Sequence, residues 1–368
     1  FELSLNCCFD SPNWYSSAIY LIWRFVTFNY DEQPRHSYKY QKALMKIVIC
    51  GGHLTPALAL LERLELKKDF EIYFFGRKYA TEESLNFSAE YKMLAKKPVK
   101  FTSITTGRLQ RKFTRYTILS LLKIPIGFIQ SFFYLAKIRP NLIISFGGYL
   151  SPPVVFAGWF LGIDSITHEQ ASIAGLATKI NSLFAKKVFL TWHQSQKYFG
   201  KGRTEIIGNL TRQSIFKKTA EDPKIQKFLN RAGKLILATG GNLGSHFLNK
   251  RIFALAPKLK NYLIFHQVGT TNYQGDLDQA KKIMKENLGP QSRVYRGTRT
   301  ASSAYFAVDY LDSDNIGAVL NRADLVISRS GANTVWDLAV LGKVAIFIPL
   351  PISAGGEQLE NAKILKSA

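Results

Sequence analysis

The sequence predicts two α/β domains in tandem, each a Rossmann-like parallel sheet with helices on both faces. Three observations predict it. From Met45 onward strand, loop and helix alternate, the pattern of parallel sheets. The strand series starts twice: KIVIC, EIYFF, NLIISF, SITH, KVFLT and TEIIG are followed by KLILATG, YLIFHQV, AVDYL, DLVIS and VAIFIPL. The two series also open alike, since IVICGGHLTPALALL and LILATGGNLGSHFLN each place a glycine pair after a first strand and then enter a helix. A length of 368 residues leaves room for about two domains of ordinary size.

In chain order, residues 1–44 precede the natural strand start MKIVICGG and read as an added leader. Their apolar run, Trp14 to Phe28 with Arg24 inside it, makes an interfacial anchor the alternative. The run is shorter than the roughly 20 residues of a membrane helix, and no small-residue cleavage site follows it. No other stretch is expected to span a bilayer. The first domain is then 45–207 and the second 208–368, with the hinge near IIGNLTR, residues 206–212.

Hydrophobic content of 46% with 20% charged residues is that of a globular protein. The net charge of +23 calls for an anionic partner: nucleic acid, an acidic membrane or a phosphorylated ligand. Cys7, Cys8 and Cys50 make no disulfide framework, which fits a reducing compartment.

Ligands of parallel α/β sheets sit beyond the carboxyl ends of strands. Three such ends are small and polar here: Gly51-Gly52-His53, Gly240-Gly241-Asn242-Leu243-Gly244, and RSGANT at 329–334. Glycine lets backbone approach a ligand, and the helix that follows offers free N–H groups to an anion. Neither glycine loop has dinucleotide-fingerprint spacing, and for 329–334 a plain turn with Thr334 as helix N-cap is the alternative. Two glycine loops in register plus the third loop favour a nucleotide-sugar site.

Several separated stretches then carry a family resemblance: GGHLTPALAL (51–60), SFGGYLSPPVV (145–155), HEQASIAGLA (168–177), GNLTR (208–212), RSGANT (329–334) and EQLENA (357–362). From Met45 to the end the chain resembles the MurG family, peripheral membrane glycosyltransferases that add N-acetylglucosamine to lipid I. The resemblance implies the GT-B fold, two Rossmann-like domains facing across a cleft, and an inverting transfer from UDP-N-acetylglucosamine to undecaprenyl-diphosphate-linked muramoyl-pentapeptide, giving lipid II for peptidoglycan synthesis. The sequence departs from the family's usual residues at Cys50-Gly51-Gly52-His53, Ala171, Asn242, Asp337 and Gly356-Glu357-Gln358. Family members also continue through C-terminal helices beyond the position of Ala368.

Glycosyl transfer needs a base for the acceptor hydroxyl and stabilisation of the leaving diphosphate. His53 is the candidate base, an imidazole at the mouth of a glycine turn, with a helix-capping role as its alternative. Glu169 competes as base if a closed site raises its pKa, or serves as an orienting acceptor. The resemblance places Arg212 on the UDP phosphates, where a guanidinium grips two oxygens. Gly51, Gly52, Gly240, Gly241, Asn242 and the helix near Gly244 would take the donor as well. Ala332, Asn333, Thr334 and Asp337 would line the uridine, with Gln358 nearby and Leu311 offering backbone to the uracil. Gly147, Gly148, Tyr149, His168 and Gln170 would face the acceptor.

Neither a cofactor nor a metal is expected. Asp312-Ser313-Asp314 spells DxD, but it precedes a helix, where aspartates cap, and the histidines show no zinc spacing. Residues 107–140 carry Arg108, Arg111, Lys112, Arg115, Lys123, Lys137 and Arg139 and no acidic residue, interleaved with apolar residues such as Ile118 and Leu122. That composition suits an anionic membrane surface at the cytoplasmic face, with a core helix bearing solvated lysines as the alternative. Nucleic acid is not expected, since the apolar residues are mostly aliphatic rather than stacking aromatics. The alternatives to MurG-like function are another GT-B glycolipid glycosyltransferase and a non-catalytic basic binding protein.

Overall fold

The computed structural model describes residues 44–65, 69–79, 87–95, 97–107, 115–200, 202–287 and 304–366. The chain divides into two compact units, Phe1–Arg212 and Gln213–Ala368.

The first unit runs β1 (Met45–Cys50), α1 (Leu54–Leu64), β2 (Phe70–Gly76), α2 (Ala89–Leu94), β3 (Lys100–Ser103), α3 (Arg115–Ile138), β4 (Leu142–Ser145), α4 (Ser151–Phe160), β5 (Ser165–Glu169), α5 (Leu176–Phe184), β6 (Lys187–Leu190) and β7 (Thr204–Ile206). Its strands lie in the order β3-β2-β1-β4-β5-β6-β7 and every pairing is parallel. Period-two alternation sends β1 to both faces: Ile47 and Ile49 pack with Leu58 and Leu61 of α1, while Val48 and Cys50 pack with Leu135 of α3 and Val154 of α4. A parallel sheet needs both faces covered, and the apolar faces of these helices supply the cover. Pro56 sits in the first turn of α1, where its missing N–H costs nothing. The Cys50 thiol at the end of β1 is buried, and that burial pushes its pKa up to about 12.

The second unit runs α6 (Pro223–Leu229), β8 (Lys234–Thr239), α7 (His246–Leu255), β9 (Tyr262–Gln267), α8 (Asp276–Asn287), β10 (Ala304–Val308), α9 (Ile316–Arg322), β11 (Leu325–Ser328), α10 (Ala332–Val340), β12 (Ala345–Phe347) and α11 (Glu357–Lys366). The strand order is β10-β9-β8-β11-β12, again all parallel. Leu235, Leu237 and Phe265 fill one face against α9, and Ala238 and Ile264 the other against Leu248 and Ile252 of α7. Asp222 opens α6 by accepting the Lys224 amide at 2.7 Å.

In each sheet the order reverses between the first and fourth strands. The crevices lie between β1 and β4 and between β8 and β11, where open α/β sheets receive ligands.

Several expectations need correction. β3 was not expected: KFTS is four residues at a sheet edge, with both ends exposed. The strand expected at AVDYL is Ala304–Val308, because Asp309 turns the chain by accepting the Tyr310 amide at 2.8 Å. The strand at VAIFIPL is only Ala345–Phe347. The two compact units divide after Arg212, at the end of the expected 206–212 hinge, so Arg212 belongs to the first. Contrary to expectation, Ser120–Ile138 is long and apolar enough to cross a membrane by length and composition, with 22% of that window buried. It connects β3 to β4 and packs against Phe156 and Phe160 of α4 through Phe128 and Phe132. The expected leader, residues 1–44, lies outside the described residues apart from Leu44.

Candidate active site

In the first unit the two glycine pairs are built against each other. The Gly52 amide donates to the Gly147 carbonyl at 2.9 Å. A Cβ on Gly51 (φ +135°) would stand 2.6 Å from that carbonyl, and one on Gly148 (φ +76°) 2.6 Å from the Gly52 nitrogen. The β1 and β4 loops therefore interlock only as glycines. Ser145, at the end of β4, accepts from Asn181 at 2.9 Å and from the Gly147 amide at 3.2 Å. Asn181 also donates to Ser151 at 2.8 Å, tying α5 to the start of α4.

His53 occupies the N-cap position of α1 but makes no capping hydrogen bond with its side chain. Its imidazole leans over Gly147, 3.7 Å from where a Cβ there would be. The residue is exposed, and desolvation by the protein around its ring lowers its pKa to about 4, so the imidazole is neutral near pH 7. A neutral, accessible imidazole can take a proton.

Glu169 ends β5 as a buried carboxylate. Burial raises its pKa, while the amides of Ala171 and Gly175 pull the other way, donating at 3.0 and 2.9 Å to its two oxygens. With both oxygens engaged it orients the 170–175 turn, so the geometry favours the structural acceptor over the base. His168, 2% exposed, bonds through Nε2 to the Gly208 carbonyl at 3.0 Å and packs edge-on to Phe146. Burial above all lowers its pKa to about 4. It is turned into the fold rather than toward an acceptor. Gln170 is buried too, its Oε1 without a hydrogen-bond partner. Tyr149, partly exposed, follows the glycine pair. Arg212 ends the unit, its Nε buried without a partner.

In the second unit, Gly240, Gly244 and Gly269 interlock: a Cβ on Gly244 (φ +84°) would fall 2.2 Å from the Val268 carbonyl. Gly241, also at φ +84°, faces open space, and Asn242 is exposed. The loop ends at Ser245, the N-cap of α7, whose side chain makes no cap bond and whose first turn holds no acid. Its amides suit an anion. Arg329, just beyond β11, donates to Ser245 Oγ at 2.7 Å and to the carbonyls of Ile348 and Pro349 at 2.9 and 3.2 Å. One guanidinium thus fastens the loops of three neighbouring strands. Desolvation lowers its pKa.

Gly331, not Thr334, is the N-cap of α10; Thr334 is the third helical residue. Ala332 is buried, whereas Asn333, Thr334 and Asp337 are partly exposed. Gln358 accepts the Leu350 amide at 2.9 Å and, through its carbonyl, the Ser330 hydroxyl at 2.7 Å. Leu311 is a buried core side chain, which leaves its backbone as the group it can offer. Asp312 Oδ1 accepts from the Asn315 amide at 3.1 Å and from Asn315 Nδ2 at 2.8 Å, so it braces the approach to α9 while Asn315 takes the N-cap position. Asp314 pairs with Lys217 at 3.0 Å. Among the described residues, no three His, Cys, Asp or Glu gather as a metal site.

Parallel topology thus brings Gly51, Gly52, His53, Gly147, Gly148, Tyr149, Glu169, Gln170 and Arg212 to the carboxyl edge of the first sheet. Gly241, Asn242, Leu311, Ala332, Asn333, Thr334, Asp337 and Gln358 gather at that edge of the second. Asn181, Thr178, whose side chain hydrogen-bonds Glu169, and Arg329 were missed. Their signals were an i, i+3 polar pair on an amphipathic helix and a charge directly after a buried strand.

The outer face of α3 is apolar: Leu122, Ile126, Ile129 and Phe133 are 63%, 46%, 51% and 66% exposed and fall at helical spacing. Arg111 and Lys112 lie outside the described residues; Arg115 and Ile118 fall in the first turns of α3.

The chain matches the glycosyltransferase family 28 N-terminal domain over residues 50–190 and the C-terminal domain over 235–368. It is 34% identical over 327 residues to a UDP-N-acetylglucosamine–N-acetylmuramyl-(pentapeptide) pyrophosphoryl-undecaprenol N-acetylglucosamine transferase of Treponema denticola, covering 86% of this chain and 79% of that protein. The Borrelia hermsii protein of the same name is 30% identical, covering 86% and 78%. Among solved structures, Acinetobacter baumannii MurG superposes with a TM-score of 0.58 at 23% identity over 88% of this chain and 83% of that one. A UDP-GlcNAc 2-epimerase of Neisseria meningitidis bound to UDP-GlcNAc gives 0.56 at 11%, covering 88% and 90%. Two Rossmann-like units with this strand order and these relatives settle the family: the chain belongs to glycosyltransferase family 28, among the MurG transferases.

Proposed function

We propose that this protein transfers N-acetylglucosamine from UDP-N-acetylglucosamine to the muramoyl-pentapeptide of undecaprenyl-diphosphate-linked lipid I, giving lipid II. The observation that carries the reading is His53: a neutral, accessible imidazole over interlocked glycine loops, in a chain 34% identical to a transferase of that name.

The acceptor hydroxyl attacks the anomeric carbon as His53 takes its proton, and the bond to the UDP oxygen breaks with inversion. The leaving diphosphate carries the negative charge, which the amides at the start of α7 and the Arg212 guanidinium offset. Asn333, Thr334 and Asp337 hold the nucleoside. Gly147, Gly148 and Tyr149 support the acceptor. A polyprenyl tail keeps the acceptor in the bilayer, so the protein works at the anionic cytoplasmic face. The apolar stripe of α3 and the basic residues before it support that placement.

The test is UDP release and product formation with a lipid I analogue and a panel of UDP-sugars. Transfer to that acceptor from UDP-N-acetylglucosamine above the other sugars is the expected result. Release from no UDP-sugar, or transfer only to an unrelated glycolipid, overturns it.

A further inference from the structure

The first unit contains an apolar cavity of about 590 Å³ between α3, α4 and α5. Pro125 and Phe128 of α3, Phe156 of α4, Ala177 and Ile180 of α5, and Tyr149 form its walls. It is a half-open groove rather than a sealed packing void, since exposed Leu176 stands in its lining. The exposed stripe of α3 does not absorb it, since Leu122, Ile129 and Phe133 are not among the lining residues.

Its position is informative. Tyr149 lies two residues beyond Gly147, at most roughly 7 Å of chain, and the His53 ring leans over Gly147. The cavity therefore opens beside the loop that supports the acceptor. A 150 Å³ apolar cavity accepts a benzene, so about 590 Å³ has room for roughly three or four isoprene units.

We propose that this cavity binds the proximal isoprene units of the lipid-linked acceptor, drawing them out of the bilayer while the sugar lies at His53. The proposal rests on the transfer reading above and adds a chain-binding site to it. The diphosphate bridges from the glycine loops to the cavity mouth, and the distal chain remains in the membrane. Acceptor selection then includes the lipid, because a short or bulky tail leaves the cavity unfilled.

Two variants test it. Ala177→Trp fills the cavity from within. Leu176→Asp places a charge at its rim; Leu176 is half-exposed and opens α5, where an acid favours the helix, so this variant folds. Binding of geranylgeranyl diphosphate, with inorganic diphosphate as the headgroup control, is measured at equilibrium. Each variant should weaken the prenyl probe by at least ten-fold, the value of about two buried methylenes, and leave inorganic diphosphate unchanged. Vesicle binding by Ala177→Trp should stay at the wild-type level, which separates this site from the membrane stripe. In turnover, kcat/KM should fall for a long-chain acceptor and hold for a short-chain one. Equal probe binding by wild type and both variants, or equal loss on both acceptors, overturns the cavity assignment. A wild type that binds the probe yet transfers to neither acceptor overturns the transferase reading instead.

Discussion

Gly52 donates its amide to the Gly147 carbonyl at 2.9 Å, and this bond locks the β1 loop to the β4 loop beneath His53. Gly148→Ala would force a methyl to within 2.6 Å of the Gly52 nitrogen at φ +76°. It should cost about 1–3 kcal/mol from backbone strain alone and lower turnover by displacing His53. Gly241→Ala, at φ +84° but facing open space, should cost only about 1 kcal/mol. Thermal melts of the two variants check the contrast, and equal losses would contradict the interlock.

His53→Gln should lower turnover by at least about 100-fold while UDP still binds. The base is needed neutral, so the wild-type kcat/KM should fall as pH drops toward about 4, where His53 takes up a proton. The variant should lack that limb. An unchanged acid limb would move the proton transfer elsewhere.

Arg329→Ala removes the bonds to Ser245, Ile348 and Pro349 together. Loss of charge-assisted bonds should raise the donor KM by roughly ten-fold or more with little effect on the acceptor KM. Asp337→Ala and Thr334→Val should show the same donor bias. Initial rates with each substrate varied decide it, and an acceptor bias would reverse the assignment of the two units.

His168 and His266 are held neutral by burial, with pKa values of about 4 and about 3 against 6.5 for the free side chain. The unfolded chain takes up protons below pH 6.5 that the folded chain refuses. Stability is therefore complete above that pH and declines as pH falls toward the folded values, by about 2 kcal/mol per histidine between pH 7 and 5. Urea midpoints should drop accordingly, and His168→Asn should flatten the dependence. A midpoint unchanged from pH 7 to 5 would contradict the burial.

Replacing Arg111, Lys112 and Arg115 by Ser should release the protein from anionic vesicles at low salt, at about 1 kcal/mol per charge. High salt should narrow the difference by screening. Binding that survives all three changes at low salt would place the membrane face elsewhere.

The strands with continuous apolar runs were legible because both faces of a parallel sheet are buried. β3 was not: Lys100 and Ser103 are exposed at a sheet edge, where burial leaves no signature. The positions of His53, the glycine pairs and the 329–334 loop could be read from the sequence, since glycine and small polar residues mark strand ends. The reason for the glycines could not. They answer to each other, across 95 residues from Gly52 to Gly147, and no local window contains both partners. The burial of His168 and the bonding of Glu169 to amides two and six residues on were hidden likewise, because sequence shows a residue type but not which way its side chain turns.

Cys50, beneath the first glycine loop, has a thiol held fully protonated at neutral pH by burial. Alkylating reagents attack the thiolate, so modification requires the end of β1 to open first. In a Cys7→Ser, Cys8→Ser background, the labelling rate becomes a stopwatch for that opening, read without any substrate. A ligand that grips the loop should slow the clock.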